Sequence, residues 1–188
     1  MANRELTVLG TASQAPTRHR NHNGYFLRWD AGGFLFDPGE GTQRQLLLAG
    51  IAHSAITHIL ITHFHGDHCL GLPGVIQRLS LDRIAHPVHV YFPASGLAYF
   101  ERLRRASIFE DVADLVVHPV EEPGTVGETG GLRLVAGALC HRTDTFGWRL
   151  EEPDGVRMLP DRLAALGVEG PEIGRLAREG SVVGGGGR

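Results

Sequence analysis

The sequence predicts an α/β fold of packed layers, in which strands and helices alternate over residues 1–150. Three observations carry that expectation. Short runs rich in Val, Ile, Leu, Thr and aromatic residues recur between Gly, Asp and Pro punctuation. Amphipathic stretches with helix-compatible ends lie between several of them. One run, residues 57–62, is apolar and β-branched and reads as a buried strand.

In chain order, residues 5–10, 25–29 and 33–37 read as strands, the last two joined by a tight Asp30-Ala31-Gly32 turn. Residues 42–49 read as a helix that Gly50 is placed to stop. After the strand at 57–62, residues 72–81 read as a helix with Pro73 near its start, where a missing N–H costs little. Residues 87–92 form a strand and 96–107 an amphipathic helix. Strands at 116–120, 132–139 and 146–150 complete the pattern. Beyond residue 150 the character changes, with two short helical stretches at 159–167 and 170–180, the second bounded by glycines. Residues 151–183 thus form a helical appendage, and 184–188 a glycine-rich tail expected to be flexible.

Length and composition fit a globular protein with a real core: 188 residues, 42% hydrophobic and 21% charged. No apolar run reaches the roughly 18 residues of a membrane span, and the N-terminus lacks a signal-peptide shape, so a cytoplasmic protein without a membrane partner is expected. Cys69 and Cys140 make no disulfide framework and read as small buried thiols. The net charge of −3 does not advertise nucleic acid. All 18 basic residues are Arg, and Arg18, Arg20 and Arg28 fall in a stretch with few acids, where guanidinium forks suit phosphate. A second cluster, Arg102, Arg104 and Arg105, reads as a solvated helix face.

The chemistry concentrates in His63-Phe64-His65-Gly66-Asp67-His68, where the buried strand ends. Three imidazoles and a carboxylate within six residues are a donor set for zinc, with manganese and iron as competitors. His63 and His65 point the same way on extended backbone, while Asp67 and His68 diverge unless the loop coils. One arrangement gives the first pair to one metal and the second pair to another close by. With 11 histidines in the chain a lone His-x-His pair carries little weight. The full run at a strand end outweighs the plain alternative of a polar loop with incidental histidines. His53, His58, His86, His89 and His118 lack ligand spacing and read as core-edge or surface residues.

The HxHxDH run after a hydrophobic strand resembles the signature of the metallo-β-lactamase superfamily. Residues 62–74, Thr-His-Phe-His-Gly-Asp-His-Cys-Leu-Gly-Leu-Pro-Gly, are similar to the tRNA 3′-processing family, ribonuclease Z. So are Phe36-Asp37-Pro38-Gly39-Glu40-Gly41-Thr42-Gln43 and Pro16-Thr17-Arg18-His19-Arg20-Asn21, the latter like that family's PxKxRN loop with Arg for Lys.

The resemblance implies an αββα sandwich, of which this chain holds mainly the N-terminal half, with a protruding helical arm that grips tRNA. It implies two zinc ions per complete site. His63, His65, Asp67, His68 and His141 are the implied ligands, and Asp67 is also the catalytic base. Asp37 ends a strand on the sheet edge expected to carry the metal loop, where it either orients an imidazole N–H or the loop backbone, or serves the turn into the next helix. His141 alone would read as a structural histidine; its match to the family's second metal motif makes it a ligand. Arg18, Arg20 and Asn21 are implied RNA contacts, with His19 and His22 flanking them. The expected activity is removal of the 3′ trailer from precursor tRNA by a homodimer, leaving a tRNA 3′-hydroxyl and a 5′-phosphate on the trailer. No histidine follows His141, so the second zinc site is expected to be incomplete and the chain truncated and inactive alone. The inner face of its sheet is expected to lie uncovered, each exposed large apolar side chain forgoing roughly 1.5–3 kcal/mol. Two rival readings are a hydrolase of small esters, thioesters or lactams on the same scaffold, and a non-catalytic fragment that binds RNA or a subunit.

Overall fold

Strands β1 (Arg4–Gly10), β2 (Gly24–Trp29) and β3 (Gly32–Phe36) form an antiparallel meander. Strands β4 (His58–Leu60), β5 (Val88–Pro93) and β6 (Leu115–Val120) then add in order, all parallel to β3. The computed structural model describes residues 4–155 and 157–182; the tail at 184–188, read as flexible, lies outside the described residues. Two compact units divide the chain, residues 1–152 and 153–188.

Parallel neighbours cannot be joined by hairpins, so the chain crosses over between them through helices. These are α1 (Thr42–Leu48), α2 (Gly66–Cys69) with α3 (Leu72–Leu81), and α4 (Leu97–Arg104). In α3, Leu72, Val75, Ile76 and Leu79 fall on one stripe, and all are fully buried. With Leu46 and Phe100 they pack on Leu35, Ile59, Ile61, Val90 and Phe92 of the sheet. Alternate residues of the same strands, Phe34, Leu60 and Tyr91, point into a second core.

That second core corrects the expectation of an uncovered inner face. Strands β7 (Gly124–Thr129), β8 (Leu132–Ala138) and β9 (Phe146–Glu151) form a separate antiparallel sheet. Its apolar face, Leu132, Leu134, Ala136 and Phe146, buries Phe34, Leu60, Tyr91 and Val120. Unit 1 is therefore helices, large sheet and small sheet in three layers. The cover stops short of β1, where Leu6 and Val8 remain 59% and 55% exposed.

Strand β7 was not expected, because its glycines and acids lack β propensity. A signal was present all the same: Gly130 and Gly131, both at positive φ (55° and 80°), make the two-residue turn into β8. Helix α4 ends at Arg104 rather than 107, and β4 is shorter than 57–62, although backbone bonds at Thr57 and Ile61 continue its pairing with β5. Cys69 is buried as expected; Cys140 is exposed, contrary to expectation. The second Arg cluster is a solvated face: Arg104 pairs with Asp111 and Arg105 with Glu101, while Arg102 lies over Tyr99. In unit 2, α5 (Pro160–Ala165) and α6 (Pro171–Glu179) each begin with Pro in the first turn.

Between the two sheets runs a ladder of rings. His58 stacks on Phe34 (4.6 Å) and His89 (5.2 Å), His89 on His118 (5.2 Å), and His118 on Tyr91 (4.3 Å). Burial, then the neighbouring His89 and His118, lowers the pKa of His58 from 6.5 to about 4. A neutral buried imidazole stabilises the fold above the unfolded pKa, and this contribution declines as pH falls from 6.5 toward 4. At 1.36 kcal/mol per pH unit, metal-free protein is expected to lose about 2 kcal/mol through His58 between pH 6.5 and 5. Urea titrations at both pH values check it. The loss should shrink by that amount in His58→Phe, and an unchanged difference would show that His58 is not the group responsible.

Candidate metal centre

The end of β4 leads into the candidate ligand run, residues 63–68. The chain bends at Thr62, His65 caps α2 in extended conformation (φ −70°, ψ 147°), and Gly66–Cys69 coil into one helical turn. That turn settles the divergence of Asp67 and His68: both lie on the wall of the same cavity as His63 and His65. The connection between β8 and β9 brings His141 to the same place. It is fastened there by the Phe146 N–H donating to Thr62 O at 3.1 Å.

His63 Nε2 lies 3.0 Å from His65 Nδ1, and His141 Nε2 lies 3.3 Å from the same atom. One nitrogen from each ring falls within 4.8 Å of the others. Tetrahedral zinc with bonds of about 2.0–2.1 Å requires ligand atoms roughly 3.3 Å apart, so the three imidazoles fit a metal ion of that size. Neutral imidazole is the ligating form. Burial, then the neighbouring His68 and His65, lowers the His63 pKa to about 4, which keeps it neutral.

Asp37 organises this group from behind. It sits at a positive φ of 44°, a conformation that Asp tolerates better than most residues. From there Oδ1 accepts the Thr62 N–H at 2.7 Å, and Oδ2 accepts the Thr62 hydroxyl at 2.9 Å and the His68 Nδ1–H at 2.9 Å. Since the Thr62 hydroxyl donates to Asp37, its oxygen accepts from His63 Nδ1 at 2.9 Å. One carboxylate thereby fixes two tautomers, leaving Nε2 of His63 and Nε2 of His68 with free lone pairs. His68 Nε2 is 3.5 Å from Asp67 Oδ2, which makes a second, two-residue donor pair beside the triad. Burial pulls the His68 pKa down, but the hydrogen bond and charge of Asp37, with the charge of Asp67, raise it on balance.

Sequence reasoning missed Thr62, which read only as a strand residue, and Asn23, whose amide lies 3.2 Å from His68 Nδ1. The near atom of that amide is its nitrogen, Nδ2. The glycines of the two motifs allow their loops to touch. A Cβ on Gly39 would stand 2.2 Å from Asp67 O, and one on Gly71 2.0 Å from Gly39 O. Cys69 is not a candidate ligand: its Sγ donates to His65 O at 3.3 Å, and burial, with the charges of Asp37 and Asp67, pushes its thiol up to about 12.

His63, His65, Asp67, His68 and His141, the candidate ligands, line a cavity of about 770 Å³. Arg18, Arg20 and Asn21 line a different one of about 370 Å³, joined there by Arg44 of α1. The Asn21 amide donates to Glu40 O at 2.7 Å, tying this loop to the start of α1. Arg28, grouped with Arg18 and Arg20 in the sequence, instead lies over the Phe26 ring at 5.8 Å.

A model of the metallo-beta-lactamase superfamily matches residues 17–157. The chain belongs to that superfamily. Within it, the chain is 61% identical over 184 residues to the ribonuclease Z of Nocardia farcinica, a match covering 97% of this chain and 60% of that protein. It is 49% identical over 182 residues to the ribonuclease Z of Chlamydia trachomatis serovar L2, again 97% of this chain and 60% of the relative. Among solved structures it is similar to the short form of human tRNase Z, with a TM-score of 0.71 and 30% identity over 79% of this chain and 64% of that one. The chain spans about three fifths of the length of the curated relatives it matches.

Proposed function

We propose that the chain belongs to a zinc-dependent endoribonuclease of the ribonuclease Z type, which removes the 3′ trailer from precursor tRNA and leaves a tRNA 3′-hydroxyl and a trailer 5′-phosphate. The carrying observation is the convergence of His63, His65 and His141, with the Asp67–His68 pair beside them, in a chain 61% identical to a ribonuclease Z. In this reading His63, His65 and His141 hold one zinc, and Asp67 and His68 contribute to a second. Bound zinc supplies Lewis acidity toward water and phosphate oxygens. Asp67 takes up a proton from the attacking water. Asp37 holds His63 and His68 in their ligating tautomers through Thr62 and its own hydrogen bond. Arg18 and Arg20 contact backbone phosphates, and Asn21 shapes the loop that carries them. The helices of residues 153–182 grip the tRNA by its shape. Homodimer formation and a cytoplasmic setting belong to the same reading; among the described residues no helix is long and apolar enough to cross a membrane.

The test is a hybrid in which residues 1–182 replace the matching segment of the Nocardia farcinica relative. Loaded with zinc, it should release the trailer from a labelled precursor tRNA with the stated end groups, and Asp67→Ala should slow release by at least about 10²-fold. A folded, zinc-loaded hybrid that leaves precursor tRNA intact would overturn the proposal.

A further inference from the structure

His65 supplies the central nitrogen of the triad, yet nothing outside the triad holds its ring. Asp37 and Thr62 fix the rings of His63 and His68, but neither bonds to His65. The His65 side chain is exposed, and among the described residues its ring bonds only to His63 and His141. Its position therefore comes from its backbone. On the C-terminal side the His65 carbonyl accepts from the His68 N–H at 3.0 Å and from Cys69 Sγ at 3.3 Å. On the N-terminal side stands Phe64. It lies between two residues whose rings face the ion site, and its own ring points the other way, onto the helix-covered core. There it meets Phe92 of β5 edge to face, with centroids 5.5 Å apart, and stacks on Tyr99 of α4 at 6.0 Å. Gly96 completes the slot. A Cβ there would stand 2.0 Å from Phe64 Cε2 and 2.2 Å from Cδ2. The Gly96 backbone, at φ −85° and ψ −2°, is right-handed and open to residues with side chains. The glycine is thus required by the Phe64 ring and not by the chain path.

We infer that Phe64 is a positioning residue of the metal centre: its ring, clamped by Phe92, Gly96 and Tyr99, fixes the backbone that presents His63 and His65 to one ion. This rests on the proposed metal-dependent function and adds the device that places His65. The clamp ties the ligand run to β5 and α4, two elements that supply no candidate ligand. Phe92 in turn stacks on the fully buried Phe100 at 4.9 Å, so the clamp is anchored in the main apolar core. Phe64 itself is half-buried and Tyr99 is 53% exposed. The clamp therefore lies at the rim of that core, where loosening it shifts the run without dissolving the fold. A run held loosely must be ordered by the ion as it binds, and affinity falls accordingly.

The experiment measures zinc affinity of the full chain by chelator competition and thermal unfolding of its metal-free form. The visible bands of the cobalt(II)-loaded chain read the coordination geometry. Phe64→Ala, which empties the slot, should weaken zinc binding about tenfold, the low end for residues that orient ligands, and alter the cobalt bands. Gly96→Ala, which drives the ring out, should do the same. Both changes act on one contact, so the double variant should lose about tenfold and not the roughly hundredfold of independent effects. Phe64→Leu, which refills part of the slot, should recover part of the affinity. Phe100→Leu is the control: it disturbs the core behind Phe92 and should lower the unfolding temperature with zinc affinity and cobalt bands unchanged. Wild-type zinc affinity in Phe64→Ala, multiplied losses in the double variant, or an equal loss of affinity in Phe100→Leu would each overturn the assignment. Should Gly96→Ala not fold, Phe64→Ala against Phe64→Leu and Phe100→Leu decides it. Failure of the unaltered chain to bind zinc would overturn the metal reading of the whole site, an outcome distinct from wild-type binding in the Phe64 variants.

Discussion

His65→Ala is expected to lower the zinc affinity of the chain by about 10²–10³-fold, the largest effect of any single substitution in the site. His65 Nδ1 lies at the centre of the triad, 3.0 Å from His63 Nε2 and 3.3 Å from His141 Nε2. Its removal leaves His63 and His141 as two donors in place of three. Structural zinc held by four ligands is worth roughly 10–16 kcal/mol, so one ligand carries several. The fold should survive, because His65 is exposed and takes no part in either apolar core. Competition with a chelator reads the affinity and thermal unfolding of the metal-free protein reads the fold. Unchanged zinc affinity would place the metal elsewhere.

Asp37→Ala should have the second largest effect, on both stability and metal. The side chain is 7% exposed and accepts from the Thr62 backbone, the Thr62 hydroxyl and the His68 ring. Alanine strands three donors in a largely buried place, at an expected cost of about 3–5 kcal/mol, against a typical domain stability of about 5–15 kcal/mol. Two ligands would lose the partner that sets their tautomers, and zinc affinity should fall about 10–100-fold, as for other residues that orient ligands. Asp37→Asn preserves shape and part of the bonding, so it should recover most of the stability but less of the affinity. Equal recovery of both would mean that Asp37 acts on the fold alone.

The α/β pattern was legible because its signals are local. The stripe Leu72, Val75, Ile76 and Leu79 and the apolar run into β4 depend only on period and residue type. Strand β7 was not legible, since its place follows from the Gly130-Gly131 turn and from pairing with β8 rather than from its own composition. The large sheet was expected to lie uncovered because the second half of the sandwich reads as missing, yet Leu132, Leu134, Ala136 and Phe146 of β8 and β9 are enough to bury Phe34, Leu60 and Tyr91. In the site, the clustering of His63, His65, Asp67 and His68 could be read from spacing. His141 is separated from them by a whole sheet layer and entered only through the family resemblance. The roles of Thr62 and Asn23 depend on Asp37 reaching across from β3 to β4, a contact between strands that the sequence does not express.

X-ray absorption at the zinc edge of the metal-loaded chain reads the ligand set itself. The expected spectrum has only nitrogen and oxygen neighbours at about 2.0–2.1 Å, with longer-range scattering from three imidazoles that drops to two in His141→Ala. A sulfur scatterer at about 2.3 Å, or an imidazole count untouched by His141→Ala, would contradict it.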